Sequence, residues 1–439
     1  MKIRYIRDWI IRVAVGGMAA CLPLNASAGS ADITGITENE TAYRLSGPTE
    51  FTKVRNTVKL IGSFKPSPAF QARAAVRSWY DAVFDLERNY PENVRRDLEY
   101  ELSIREAVAD ISLNDNMDLR AGLQQIVWGE APGVFITDVV NPRDYREFVL
   151  PKAEDMRIPL WAVDCTYTAS AFAVEGVWIP FYKQNRLAQA GSEFEMYHAP
   201  PPPGAVIVYE PAKMPSRTIE NSEAGVRISS LADGWDVSLF YFYAFNRFSV
   251  YFRRTGFDSE LNRPVTVISP RITRVQITGA TVTKSWDRIV LKGEAAYTMH
   301  TFLEARDRTD SDGVVTGRVL DYLAGLDYAF DSFDVYSGLT GNVQSAPRAG
   351  VRDDRASTYA FLDAKSSATV LGEKFRFDAL VMAGVSGSAD YRISPTVTWE
   401  AARNTEFEAG ADVFSGKPYG LFGQFDHHDR VRAAVRYAF

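Results

Sequence analysis

The chain has 439 residues, 49 basic against 55 acidic side chains, and a formal net charge of −6 at neutral pH. A moderately acidic protein with no basic stripe excludes nucleic acid as a natural partner. Beyond residue 28 no stretch approaches the roughly 18 uninterrupted apolar residues of a membrane helix, which excludes a helical span.

Lys2, Arg4, Arg7 and Arg12 form a positive start, followed by an apolar stretch over 13–24 and the small-residue triplet Ala26-Ser27-Ala28. This pattern predicts a signal peptide, residues 1–28, cleaved after Ala28. A rival reading takes Met18-Ala19-Ala20-Cys21 as a lipoprotein box that leaves Cys21 lipidated. Removing residues 1–28 takes four basic residues and Asp8 with it, so the mature charge becomes −9. Cys165 then stands alone, and no internal disulfide can form.

The rest of the chain alternates with period two. In 70–85, Phe70, Ala72, Ala74, Val76, Tyr80 and Phe84 share one parity, against Gln71, Arg73, Arg77, Asp81 and Asp85 on the other. Residues 93–111 also fit an amphipathic helix, but the parity over 70–85 favours strands throughout 70–112, with a bulge where the phase slips near Arg105-Glu106. The same alternation sets Ile289, Leu291, Ala295 and Tyr297 against Lys292 and Glu294, and Phe407, Ala409, Ala411 and Val413 against Glu406, Glu408 and Asp412. In the last ten residues, Val431, Ala433, Val435, Tyr437 and Phe439 oppose Arg432, Ala434, Arg436 and Ala438.

Turn signals punctuate these runs at 65–68, 114–116, 233–234, 284–287, 311–313 and 415–418. "GLTGN" (338–342) and "GVSGSAD" (384–390) read as glycine-rich turns without the lysine of a phosphate loop. Strands of ~9–11 residues between turns, with aromatics such as Tyr297, Tyr328, Phe330, Tyr437 and Phe439 near their ends, are what a membrane barrel requires.

One segment breaks the rhythm. Residues 128–161 hold Glu130, Asp138, Arg143, Asp144, Arg146, Glu147, Glu154, Asp155 and Arg157 beside Pro142 and Pro159. An Arg or Lys facing lipid at the midplane costs ~2–4 kcal/mol, so this segment belongs in the lumen or in water. Two readings remain open. Glu130, Arg143, Asp144, Arg146, Glu147 and Arg157 line a constriction that sets selectivity, or they form salt bridges that brace the wall. A second open pair concerns "SLFYFYAFNRFSVYF" (238–252), whose aromatics occupy both parities. Either Tyr241, Tyr243, Phe245 and Tyr251 contact an apolar or sugar-like substrate, or the stretch is an interfacial girdle followed by a packed loop.

The terminal Phe439 with Tyr437 two residues before it resembles the signal by which bacterial outer-membrane barrels are recognised for assembly. Residues 122–161 resemble a proteobacterial outer-membrane family of unknown function. Its members show Gln before Trp-Gly-Glu, then Asn-Pro-x-Asp, Arg-Glu-Phe and Arg-x-Pro. Here these stand at Gln125, Trp128-Gly129-Glu130, Asn141-Pro142-Arg143-Asp144, Arg146-Glu147-Phe148 and Arg157-Ile158-Pro159. Residues 177–194 and 271–297 are similar to further segments of that family. Leu123 departs from it, standing where many relatives carry an arginine. The resemblance implies an outer-membrane barrel whose relatives are often encoded beside inner-membrane exporters of the resistance-nodulation-division type. It implies no substrate.

An enzyme is not expected. Only His198, His300, His427 and His428 are available, there is no Gly-x-Ser-x-Gly elbow, and no cofactor is called for. "DHHD" (426–429) reads as a polar turn, because adjacent strand side chains point oppositely and cannot share a metal.

The expectation is one all-β antiparallel transmembrane barrel over 29–439, of about 14–16 strands and closed by the last strand. A lumenal segment lies near 129–158 and a long loop near 183–224. Its expected function is passage of a small or lipid-like compound across the bacterial outer membrane. The alternative is a closed barrel docking to an envelope exporter, and a soluble β-rich binding protein is the third class. Expected partners are the lipid bilayer and lipopolysaccharide, the barrel assembly machinery, and an inner-membrane exporter.

Overall fold

A computed structural model describes residues 30–87, 89–131, 133–196, 206–258, 263–305, 312–346, 356–386 and 389–439. The expected signal peptide, Cys21 and the whole proline run "APPPPG" lie outside the described residues. Among the described residues, eighteen antiparallel strands pair in chain order into a single closed sheet. The last strand, Arg430–Ala438, returns to the first, Ser30–Arg44, and closes the ring. Closure leaves no unpaired edge, which lets a sheet stand in hydrocarbon.

The barrel was legible in the parity, and the count is eighteen rather than about 14–16. The difference comes from short members such as Met117–Gln124 and Ala173–Ile179, at eight and seven residues too brief to alternate visibly. Eight connections of two to four residues lie at the end that holds both termini; the long ones, 82–99, 125–159, 180–222 and 246–273, lie at the other. At the Asp233-Gly234 turn both residues have positive φ (50° and 73°), which the hairpin twist demands and glycine supplies at little cost.

Alternation becomes an outside and an inside. In Trp235–Phe245, Leu239 is 60% exposed on the outer face, while its neighbour Phe240 is 4% exposed on the inner one. A stacked aromatic series, Phe377, Phe375, Trp399 and Phe407, lies outside near the terminal end, as an interfacial girdle does.

Three local expectations change or sharpen. Strands Phe70–Asp81 and Tyr100–Asn114 form, but between them Val83–Leu86 and Glu92–Leu98 are helical, so the strand expectation for all of 70–112 is corrected. The bulge falls where the phase slips: Ala75 faces Glu106, Val76 faces Ile104, and Arg105 is the extra residue. "GLTGN" is no turn but the middle of the strand Phe333–Ser345. Its glycines admit neighbouring side chains, since a Cβ on Gly338 would stand 2.9 Å from the Phe361 ring.

Candidate functional site

Residues 125–159 leave the wall after Gln124 and fold into the barrel, where two apolar clusters hold them. Trp128, wholly buried, packs on Phe240 and Phe242 with ring centroids 5.2 and 5.8 Å away. Its Nε1 donates to Glu175 at 3.0 Å, which satisfies the indole in a dry site. Ile126, Ile136 and Val140 extend this packing along one side of the lumen. Across the barrel, Phe148 joins Phe194, Phe414, Phe422 and Phe425.

Wall side chains then tie down the backbone. Glu294 accepts from the N–H groups of Glu130 (2.7 Å), Ala131 (2.6 Å) and Thr137 (3.1 Å), and from the Thr137 hydroxyl at 2.6 Å. Arg105, turned inward by the bulge, donates to the carbonyls of Glu154 (2.8 Å), Asp155 (3.2 Å) and Arg157 (2.7 Å). A bulge that re-aims one side chain is a common device in barrels.

The triplet Arg146-Glu147-Phe148 fastens the segment in three directions. Arg146 pairs with Asp144 (2.6 Å), Glu101 (2.7 Å) and Asp97 (3.4 Å). Glu147 pairs with Lys53 and Arg55. Burial alone would raise the Glu147 carboxyl, but Arg55 and Lys53 outweigh it and hold it below the usual carboxylate range. Phe148 adopts a left-handed backbone (φ 56°), a conformation that persists where its surroundings fix it. Here the five-phenylalanine cluster does so, with Phe425 4.8 Å away.

Between this segment and the opposite wall lies a cavity of about 520 Å3. The last strand contributes Arg430, Arg432 and Arg436, and the second and third strands add Lys53, Arg55 and Arg77. The segment contributes Asp144, Glu147 and Asp155, and the wall Glu38, Glu40 and Glu408. Opposite charges meet repeatedly: Arg436 with Glu38 at 2.5 Å, Arg77 with Asp155 at 2.8 Å, and Arg432 with Glu408. Arg430 lies behind them on Asp412 at 3.0 Å, which Arg392 also approaches at 3.3 Å. A second space, of about 340 Å3, opens at the loop end, and Arg146 borders both.

Among the residues singled out in the sequence, Asp144, Arg146 and Glu147 border the cavity. Glu130, Arg143 and Arg157 do not. Glu130 accepts from the hydroxyls of Thr281 (3.1 Å) and Thr283 (2.6 Å). Arg143 donates to the Asp138 carbonyl and lies 4.1 Å from the Phe135 ring centre, and Arg157 pairs with Asp138 at 2.7 Å. The four aromatics are not brought together in the lumen. Tyr241 and Tyr243 stand on the outer face at about 40% exposure, because Phe240 and Phe242 take the inner parity against Trp128. Phe245 is buried against Tyr182 (5.4 Å) and Arg274, and Tyr251 lies on the hairpin of 250–271 beside the loop-end space. Sequence reading did not single out Arg430, Arg432, Arg436, Lys53 and Arg55. Their shared inward parity was the available signal.

Comparison with known proteins bears on the whole chain. The family model described as "Protein of unknown function (DUF1302)" matches residues 41–439. The chain belongs to this family. No curated protein matches. Among solved structures, the DUF1302 chain is similar to OccAB1 of Acinetobacter baumannii (6% identity, TM-score 0.56), covering 93% of this chain and 96% of that one. It is also similar to OccK8 (OprE) of Pseudomonas aeruginosa (9% identity, TM-score 0.52), over 93% and 98% of the two chains. A BenF-like porin from Pseudomonas fluorescens Pf-5 matches with the same TM-score and coverage at 8% identity. At such identities the likeness is one of fold, that of an outer-membrane porin.

Proposed function

We propose that this DUF1302 chain is a channel of the bacterial outer membrane. Small polar solutes pass between the last-strand arginines and the folded-in segment. One observation carries the reading: a closed barrel retains a charged cavity of about 520 Å3 beside a segment anchored across its lumen. Charge on every side of that space favours a polar solute over a lipid-like one, because an apolar molecule would have to strip water from ion pairs without replacing its hydrogen bonds. In this reading Asp144, Arg146, Glu147 and Asp155 set the width and charge of the passage, while Glu130, Arg143 and Arg157 hold the segment in place. Export through a cleaved signal peptide, and recognition of Tyr437 and Phe439 by the barrel assembly machinery, belong to the same proposal. Planar-bilayer conductance of the refolded protein tests it; a folded barrel that never conducts would contradict it.

A second reading has its own support. The apolar cluster around Trp128 and the ion pairs from the wall to the segment occupy space inside the barrel, as they would in a closed barrel docking to an envelope exporter. Capture of an inner-membrane partner together with electrical silence would favour it.

A further inference from the structure

We propose that the lumen prefers solutes carrying one positive and one negative group, such as amino acids or betaines, and that Lys152 and Asp378 read the two charges. This rests on the channel reading above and names its solute class. Nine basic and seven acidic residues border the cavity, so net charge alone selects weakly. Most of these charges are already matched. Lys53 stands 3.0 Å from Glu40, Arg55 3.2 Å from Asp81, and Asp144 2.6 Å from Arg146; the remaining pairs are as close. Among the described residues that border this space, Lys152 and Asp378 alone have no opposite charge within 4.0 Å.

An ion paired at contact distance presents a dipole, and a passing solute gains from it only by breaking a pair whose members are partly desolvated. An unpaired charge attracts without that cost. Lys152 is exposed on the segment just after Pro151, at the first turn of Ala153–Met156. Asp378 stands on the facing wall, directly across the strand ladder from Lys365. Lys365, however, bonds to Asp363 on its own strand at 2.7 Å. On its other side Asp378 faces Thr396, whose hydroxyl takes the Arg432 guanidinium at 2.5 Å. The charges bordering this space that no contact ion pair holds are therefore one cation on the segment and one anion on the wall. They share a space whose volume equals that of a sphere about 10 Å across. A lone anion is drawn to Lys152 and repelled by Asp378, and a lone cation meets the reverse. A small zwitterion satisfies both.

The test compares three probes of like size, β-alanine, propionate and propylammonium, entering proteoliposomes that hold the full refolded barrel. The wild type should pass β-alanine about threefold faster than either ion, the scale of one water-exposed charge pair. Lys152→Met should shift preference toward propylammonium and Asp378→Asn toward propionate, while the double variant should pass all three at similar rates. Neither residue is in an ion pair, so these changes leave no buried charge unmatched. Equal wild-type rates, or an unchanged preference in the double variant, would overturn the zwitterion inference and leave the channel reading intact. Passage of none of the probes by a folded barrel would overturn the channel reading, and this inference with it.

Discussion

Gly35 and Phe439 exchange both of their peptide hydrogen bonds, at 2.7 and 2.9 Å. The Phe439 ring lies where a Gly35 side chain would stand, since a Cβ there would meet its Cζ at 2.3 Å. The seam of the barrel thus ends on an aromatic seated over a glycine, with Tyr437 stacked beside it at 6.2 Å.

A bulky residue at position 35 should therefore impair closure. Gly35→Val is expected to reduce assembled, heat-modifiable barrel severalfold in outer-membrane fractions, and deletion of Phe439 should do the same. Normal assembly of both variants would show that this seam contributes little.

Loss of the Trp128 anchor should free the segment without opening the wall. Truncating a buried tryptophan costs about 3–5 kcal/mol, here charged to the attachment of the segment rather than to the sheet. Trp128→Ala should keep its strand circular dichroism while the 125–159 segment becomes sensitive to limited proteolysis. A protected segment would mean that Glu294 and Arg105 suffice.

Arg105→Ala removes three charge-assisted bonds to the carbonyls of 154, 155 and 157. Bonds to charged donors contribute about 1.5–3 kcal/mol each, and the variant should show higher or noisier conductance. Replacing Arg143 and Arg146 together should also loosen the segment. Arg143 braces it against Asp138, and loss of Arg146 would leave Asp144, Glu101 and Asp97 less compensated. The measurement is the open-level variance of single channels, which a selectivity role alone would leave unchanged.

At the loop end, His428 packs against Phe425 and Phe194, with its Nδ1 buried and unpartnered. Burial, aided by Arg44 and His427, pushes its imidazole down to about 4. Between that value and the ordinary ~6.5 the unfolded chain binds a proton that the folded one does not, so stability rises with pH across this window. Packing of the 416–429 loop should accordingly weaken as pH falls from 6.5 to 4. His428→Asn should flatten the dependence, as read by thermal melting or by proteolysis of the loop.

Much of the barrel could be read from parity alone, because lipid on one side and water on the other enforce period two. The inward arginines of the last strand follow from the same rule. Where both parities are aromatic, as in 238–245, parity cannot say which face looks inward; Trp128, more than a hundred residues earlier, decides it. Glycines misled for a similar reason. Gly338 and Gly341 mark close approach of Phe361 and Tyr322 within a strand, which local sequence cannot distinguish from a turn. The charged segment could be recognised as non-lipidic, but not which of its charges reach the cavity, since that depends on partners as distant as Lys53 and Glu294.

The most direct test of the account is single-channel conductance of the refolded protein in a planar bilayer, wild type against Arg436→Glu. Arg436 borders the cavity and pairs with Glu38 on the first strand. An open channel lined by Arg436 gives discrete conductance steps, with ion preference in the variant moving toward cations. A demonstrably folded barrel without steps, or steps whose selectivity the reversal leaves untouched, would contradict it.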